Sequence, residues 1–434
     1  MDSTLFAERR TKVLSRMGKG VLLVPSAPVA IRNNDVEHAY RQDSDLYYLT
    51  GFDEPESLLL LTTQHPEHRS VLFVRPRHKE REIWDGYRAG VEGAKSRYGV
   101  DAAFPIEELS TRLPDYLEDV DRLHVRLGRV RAFDDVVFGA VDAVRARARK
   151  GVRAPTEYVD PTVILHDLRL RKDSVEVSLM RHAARISGEG HLAAMRAALP
   201  GRYEYEVEAE LLHAFRRGGA ERPAYECIVG SGPNATVLHY RKNDRRLEEG
   251  DLLLIDAGCE YGYYASDITR TFPVSGRFTE PQRQLYEIVL EAEEAALAAV
   301  RPGRTLEEIH DVALRILVEG LVRVGLLDGS VEERLADGAY RDFYMHRTSH
   351  WLGMDVHDVG GYFVEGRRRT LEPGMVLTIE PGLYVQPDAA VDPRFRGIGI
   401  RIEDDVLVTE SGHENLTAHV PKSVADLEAI LGSR

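Results

Sequence analysis

The chain has 434 residues, 43% of them hydrophobic and 29% charged, with a formal net charge of −14 at pH 7. That length suggests two or three domains with ample cores. The acidic balance argues against a nucleic-acid or anionic-membrane binder, because either needs a basic face.

Only two cysteines occur, Cys227 and Cys259, so no disulfide framework is indicated. The N-terminus M-D-S-T-L-F-A-E-R-R is charged and lacks a signal-peptide core. No run of about 18 apolar residues argues for a membrane span. A cytoplasmic protein is expected.

Residues 1–17 carry an amphipathic helical pattern, followed by the buried-strand signal G-V-L-L-V-P ending at Pro25. Further strands are expected over 57–63 and 70–76, and helices over 106–118 and 133–149, an alternation that indicates an α/β domain. Between the first two strands, Y-R-Q-D-S-D-L-Y-Y-L-T-G-F-D-E-P (40–55) has no clean period and reads as loop with a short strand. The stretch 151–173, with Pro155 and Pro161, is the expected linker, which sets domains at 1–172 and 173–434. Asp173 and Glu176 form a capping box that opens a long helix, closed before Pro200-Gly201. Another helix is expected over 204–217. Capping boxes at Thr279–Gln282 and Thr305–Glu308 start two more, each with an apolar face for the core.

The later strands are arranged around a pattern used twice. Residues 247–258 read L-E-E-G-D-L-L-L-I-D-A-G, and residues 371–382, at an offset of 124, read L-E-P-G-M-V-L-T-I-E-P-G. Each is an apolar strand ending on an acid beside a glycine, Asp256 in one and Glu380 in the other. A carboxylate at the end of a buried strand must be paired, hydrogen-bonded or metal-bound, and two related ones indicate a duplicated domain with its site between the halves. Asp267 lies eleven residues beyond Asp256, across a glycine- and tyrosine-rich stretch that suggests a hairpin bringing both acids together. On the strand 397–408, Ile398, Ile400 and Ile402 face one way and Arg401, Glu403 and Asp405 the other. Such a charged face ordinarily meets solvent, unless Glu403 meets the other acids as the counterpart of Asp267. His350 lies in the histidine-dense stretch M-H-R-T-S-H-W-L-G-M-D-V-H-D-V-G.

Any one of these residues is more often a turn, cap or core residue than a ligand; His346 and His350 are four apart but lack the glutamate of an H-E-x-x-H zinc motif. The set is what matters. Four converging carboxylates need strong positive charge, which two divalent cations would supply formally. In two-metal hydrolytic sites the ions lie ~3.5–4 Å apart and activate a water. Oxygen-dominated ligation with one imidazole fits manganese best, with cobalt, iron or zinc as substitutes.

V-L-H-Y (237–240), I-D-A-G-C-E-Y with S-D-I-T-R-T-F-P (255–273), S-H-W-L-G-M-D-V-H-D-V-G (349–360), I-E-P-G-L-Y (379–384) and G-I-R-I-E-D-D (399–405) resemble the X-Pro aminopeptidases, the aminopeptidase P family. The resemblance continues into 40–55 and I-W-D-G (83–86). It implies an α/β N-terminal domain followed by an α+β pita-bread metallopeptidase domain with internal duplication. It further implies that Asp256, Asp267, His350, Glu380 and Glu403 hold two divalent ions, with Asp267 and Glu403 bridging them. His239 and His357 would line the substrate site, His357 at the scissile carbonyl and His239 holding substrate and passing protons. Glu380 would shuttle a proton toward the leaving proline nitrogen. Arg401 would steady the carboxylates or substrate, with Tyr225 and Tyr384 in support. Trp84 matches a tryptophan that can reach a neighbouring subunit's site, which depends on a homo-oligomer, a tetramer or dimer. His346 either serves the substrate site or supports the histidine loop. Substrates would be peptides with proline second. Prolidase, which cleaves X-Pro dipeptides with the same centre, is the nearest rival. A methionine aminopeptidase would lack so large an N-terminal domain, and a non-catalytic pita-bread binding module would have lost several ligands.

Overall fold

The computed structural model describes residues 3–433 and divides into two compact units, Met1–Leu168 and Arg169–Arg434. The first opens with the helix Ser3–Met17, which turns Phe6, Val13 and Met17 inward. Its six-stranded mixed sheet runs Ala102–Pro105, Ser70–Val74, Leu58–Thr62, Val21–Pro25, Arg122–His124, Glu157–Val159. The three strands Val21–Pro25, Leu58–Thr62 and Ser70–Val74 pair antiparallel, and the outer pairings are parallel. Leu58–Thr62 and Ser70–Val74 are buried along their whole length, which explains their unbroken apolar runs.

Two expectations change in this unit. Residues 44–50, read as loop with a short strand, form the helix Ser44–Thr50. Asp43 caps it by accepting from the Asp45 and Leu46 amides, and Gly51 ends it at φ 67°. At seven residues the helix is too short to show a period. The expected linker also has structure, the strand Glu157–Val159 and the helix Thr162–Leu170. Pro161 stands just ahead of that helix, where its missing N–H costs nothing and its carbonyl accepts from the Ile164 and Leu165 amides.

The second unit repeats one plan. The helices Ser174–Ala197 and Glu204–Arg217 precede the antiparallel sheet Ile228–Ser231, Leu252–Asp256, Thr269–Pro273. The helices Glu280–Ala299 and Leu306–Arg323 precede the pairing of Val376–Ile379 with Asp404–Val408. Capping boxes open the helices after Asp173, Thr279 and Thr305, and at the fourth Glu206 reaches back to accept from the Tyr203 amide at 2.8 Å. Ile186, Leu211, Leu253, Ile255, Leu285, Leu317, Leu377 and Ile400 share one buried core. Burying each such side chain stabilises by about 1.5–3 kcal/mol.

The sheets meet where the acids lie. Ile255 pairs with Arg270 and Asp256 with Thr269; in the other half Ile379 pairs with Asp404. By that register Glu403 corresponds to Thr269 and not to Asp267, and a bridge between Thr269 and Glu403 joins the halves. The stretch 397–408 is two strands, Gly399–Arg401 and Asp404–Val408, with Ile402 and Glu403 between them. Because Gly399–Arg401 pairs with Gly382–Tyr384 and Asp404–Val408 with Val376–Ile379, the chain changes partner at Glu403. Arg401, Glu403 and Asp405 are all buried, so the charged face of this stretch turns inward, the alternative to a solvent face. Among the described residues no helix is long and apolar enough to cross a membrane.

Candidate active site and metal centre

Asp256 ends its strand at a cavity of about 740 Å³, which Tyr225, His239, Asp267, His346, His350, His357, Glu380, Arg401 and Glu403 also line. All belong to the second unit. Between Asp256 and Asp267 the chain turns away into a small hairpin, Cys259–Tyr261 with Tyr264–Ala265, in a separate sheet. The return passes so close that a Cβ on Gly258 would lie 1.7 Å from the Ser266 carbonyl oxygen. Only glycine fits there, and both carboxylates reach one phenol: Tyr225 Oη is 2.6 Å from Asp256 Oδ1 and also contacts Asp267 Oδ1. One O–H has one proton, so the two acids compete for it.

His350 approaches from the other half. Its Nδ1 donates to the Trp351 carbonyl at 3.0 Å, which leaves Nε2 facing Asp267 Oδ2 at 3.5 Å and Glu380 Oε1 at 3.6 Å. Donor atoms of Asp267, His350 and Glu403 all lie within 4.8 Å of one another. A fixed tautomer with its free nitrogen among carboxylates is how ligating histidines are usually held.

Burial pushes the Asp256 carboxyl above its usual range, against the pull of Arg401. Burial likewise lifts Glu380 to about 7 and holds Glu403 well above the carboxylate range, with Asp267 and Glu380 adding repulsion to Glu403. Asp267 goes the other way: its burial is outweighed by the hydrogen bond and charge of His350. Burial also opposes charge on His350, yet Asp267 and Glu380 raise that imidazole to about 9. Three buried acids and the half-buried Glu380 crowded together, with Arg401 and His350 touching them, form a site that gains by binding cations. Carboxylate oxygens plus one imidazole suit divalent metals.

A hydrogen-bonded frame holds the acids. Arg401 donates to Asp256 Oδ2 at 2.6 Å, to Tyr384 Oη at 2.8 Å and to Thr269 Oγ1 at 3.2 Å. Thr269 Oγ1 in turn donates to Glu403 Oε2 at 2.7 Å. His346 Nδ1 donates to the Arg347 carbonyl at 2.8 Å, so its Nε2 accepts from Tyr384 Oη at 2.9 Å. Burial and the Arg401 charge lower that imidazole to about 3, a neutral ring braced against Tyr384. His239 and His357 line the same cavity, and the His357 ring stands 4.5 Å from that of His350. Trp84 lies in the first unit, 86% exposed on the helix Lys79–Asp85.

Three residues of the frame escaped the sequence reading. Thr269 sits in an alternating strand, where threonine is commonplace. Asp405 accepts from the Asp267 amide at 3.1 Å and from Ser266 Oγ at 2.9 Å, but its neighbours suggested a surface. Glu204, wholly buried, gathers the Ser231 amide and hydroxyl, Asn234, Tyr240 Oη and the Arg245 amide. It thereby ties down the loop bearing His239. Its place in a first helical turn masks that role.

Residues 178–410 match metallopeptidase family M24, and residues 6–125 match the aminopeptidase P N-terminal domain. The chain belongs to metallopeptidase family M24. This M24 chain is 46% identical to the Xaa-Pro aminopeptidase of Escherichia coli K12 over 428 residues, 98% of this chain and 97% of that one. It superposes on the Pseudomonas aeruginosa aminopeptidase PepP with a TM-score of 0.98 at 50% identity, covering 100% of this chain and 98% of that one. A zinc-substituted E. coli aminopeptidase P with bound product matches at TM-score 0.97 and 45% identity, over 100% and 99% of the two chains. The chain is therefore an α/β aminopeptidase P N-terminal domain followed by an M24 pita-bread catalytic unit, as the resemblance implied, and the metallopeptidase family together with the Asp267, His350 and Glu403 donors implies divalent metal.

Proposed function

We propose that this M24 metallopeptidase is an Xaa-Pro aminopeptidase, hydrolysing the bond between an N-terminal residue and a following proline. The observation that carries the reading is the convergence of Asp256, Asp267, His350, Glu380 and Glu403 on one cavity, in a chain 46% identical to an Xaa-Pro aminopeptidase over nearly its full length.

Those five side chains would hold two divalent ions, manganese suiting the oxygen-rich donor set best. When bound, the metals supply an activated water and Lewis-acid polarisation of the scissile carbonyl. The remaining work falls to the protein. The free amino terminus of the peptide is received among the carboxylates. His357 donates to the scissile carbonyl oxygen as negative charge develops there. His239 holds the peptide beyond that bond and passes protons. Glu380, beside His350 at the cavity, would accept the proton released by the attacking water and return it to the departing proline nitrogen. Arg401 and Tyr384 keep Asp256 and His346 in line. The proline nitrogen of the substrate has no N–H, so a site shaped for the ring forgoes a donor that ordinary peptidases need.

A homo-oligomer, tetramer or dimer, accompanies this reading. Ile83, Trp84 and Tyr87 are 77%, 86% and 91% exposed within five residues, which supports that segment as a contact with another subunit. Cytoplasmic placement is supported by Cys227 and Cys259 both being free thiols.

A peptide panel with added manganese tests the activity against prolidase. Turnover of Gly-Pro-Ala and longer Xaa-Pro peptides is expected; cleavage of Gly-Pro dipeptides alone would replace the aminopeptidase reading with prolidase.

A further inference from the structure

His357 stands on a segment without regular secondary structure, residues 352–361, so something other than a helix or strand must fix its imbuing geometry. The residue after it does so. While His357 faces the cavity, Asp358 is turned inward with a side chain only 1% exposed. Its Oδ1 accepts from Arg169 Nη2 at 2.7 Å and its Oδ2 from Lys172 Nζ at 3.0 Å. Arg169 also reaches Asp355 Oδ2 at 2.7 Å, two residues before His357. Lys172 is anchored in turn, its amide donating to the Gly374 carbonyl at 2.8 Å. The packing leaves no slack: a Cβ on Gly353 would lie 2.0 Å from Asp358 Oδ2. The Asp358 amide donates to the Trp351 carbonyl at 2.9 Å, the same carbonyl that receives His350 Nδ1.

We propose that Asp358, clamped between Lys172 and Arg169, is a positioning residue that sets where the His357 imidazole meets the scissile carbonyl. The two cations act through it. This rests on the Xaa-Pro aminopeptidase reading. Two buried cations on one buried carboxylate are costly to assemble. Here the ion cluster flanks a side chain whose placement governs rate, and an error of about 1 Å at a reacting centre can cost on the order of 10²-fold. Because the Trp351 carbonyl also orients His350, the alternative is that the clamp serves the metal ligand instead.

The experiment compares Lys172→Met and Lys172→Arg with wild type, in the full-length metal-loaded protein, on Gly-Pro-Ala. For Lys172→Met the clamp predicts at least a tenfold fall in kcat, KM within threefold, unchanged manganese content, and at least tenfold faster amide exchange confined to 352–361. Lys172→Arg, which keeps the charge, restores most of kcat and of the protection. Wild-type kcat at full metal content overturns the proposal, and so does a loss of kcat in proportion to lost manganese. Should Lys172→Met fail to fold, the near-isosteric Asp358→Asn is read by the same criteria. The amide-exchange arm does not depend on turnover, and wild-type hydrolysis of the same peptide is the control for the parent reading. Failure of the clamp and failure of that reading therefore separate.

Discussion

Thr269 is the residue through which Arg401 reaches Glu403: its hydroxyl accepts from the guanidinium and donates to the carboxylate. Thr269→Val keeps the volume and removes both bonds, leaving a buried carboxylate oxygen and a buried N–H short of a partner. Loss of such a supporting partner typically costs 10–100-fold in metal affinity or activity. We expect about that loss for Thr269→Val in manganese titrations and in kcat, with the fold unchanged by circular dichroism. Glu403→Ala removes a ligand outright, and hydrolysis of Gly-Pro-Ala should fall below detection together with metal content. If hydrolysis survives that substitution, the proposed metal mechanism is wrong. Asp256 and Glu380 were legible because the same strand phrase occurs twice at a fixed offset. The role of Thr269 was not, because one threonine in a β-alternation gives no signal.

At the scale of elements, the seam between the halves is a buried ion pair. Arg270 and Asp404 occupy corresponding places in the two strand pairings and meet at 2.7 Å, both wholly buried. Arg270 further donates to the carbonyls of Thr269, Glu403, Val420 and Pro421. Lys422 joins Asp404 to Glu293 at 2.6 and 2.7 Å. Removing one partner of a buried pair costs about 3–5 kcal/mol, so Arg270→Met should lose that much in denaturant unfolding; a loss under about 1 kcal/mol would mean the seam is held elsewhere. The strand break at Ile402-Glu403 was invisible in the sequence because isoleucine alternation runs straight through it. The break arises from partner exchange, a tertiary event. On the helix Ser174–Ala197, His191 is wholly buried with Nε2 donating to the Ala257 carbonyl at 2.9 Å. Burial lowers its pKa to about 4 from an ordinary 6.5. Between those values the unfolded chain binds a proton that the native chain refuses, so stability falls as pH drops from about 6.5 to 4. The loss attributable to His191 is about 3 kcal/mol. His191→Asn should flatten that part of the stability–pH curve; an unchanged slope would show the imidazole is not its source.

For the whole molecule, the order of units and the duplicated plan followed from capping boxes, apolar runs and the repeated strand phrase. The short helix Ser44–Thr50 and the structured 151–173 stretch did not, since each depends on caps and packing more than on a period. The metal centre joins both halves of the second unit, so loading it should couple to global stability. At a hundredfold excess over Kd a ligand adds about 2.7 kcal/mol, which for a unit of this size corresponds to a Tm rise of about 5–10 °C. Calorimetry of chelated and manganese-loaded protein should show that shift, and equal Tm values would deny the coupling. The most direct test of the central claim is back-titration of chelated protein with manganese while Gly-Pro-Ala hydrolysis is followed. The account predicts no turnover without metal and recovery that saturates at two equivalents per chain. Turnover by the metal-free protein, or full recovery at one equivalent, would contradict it.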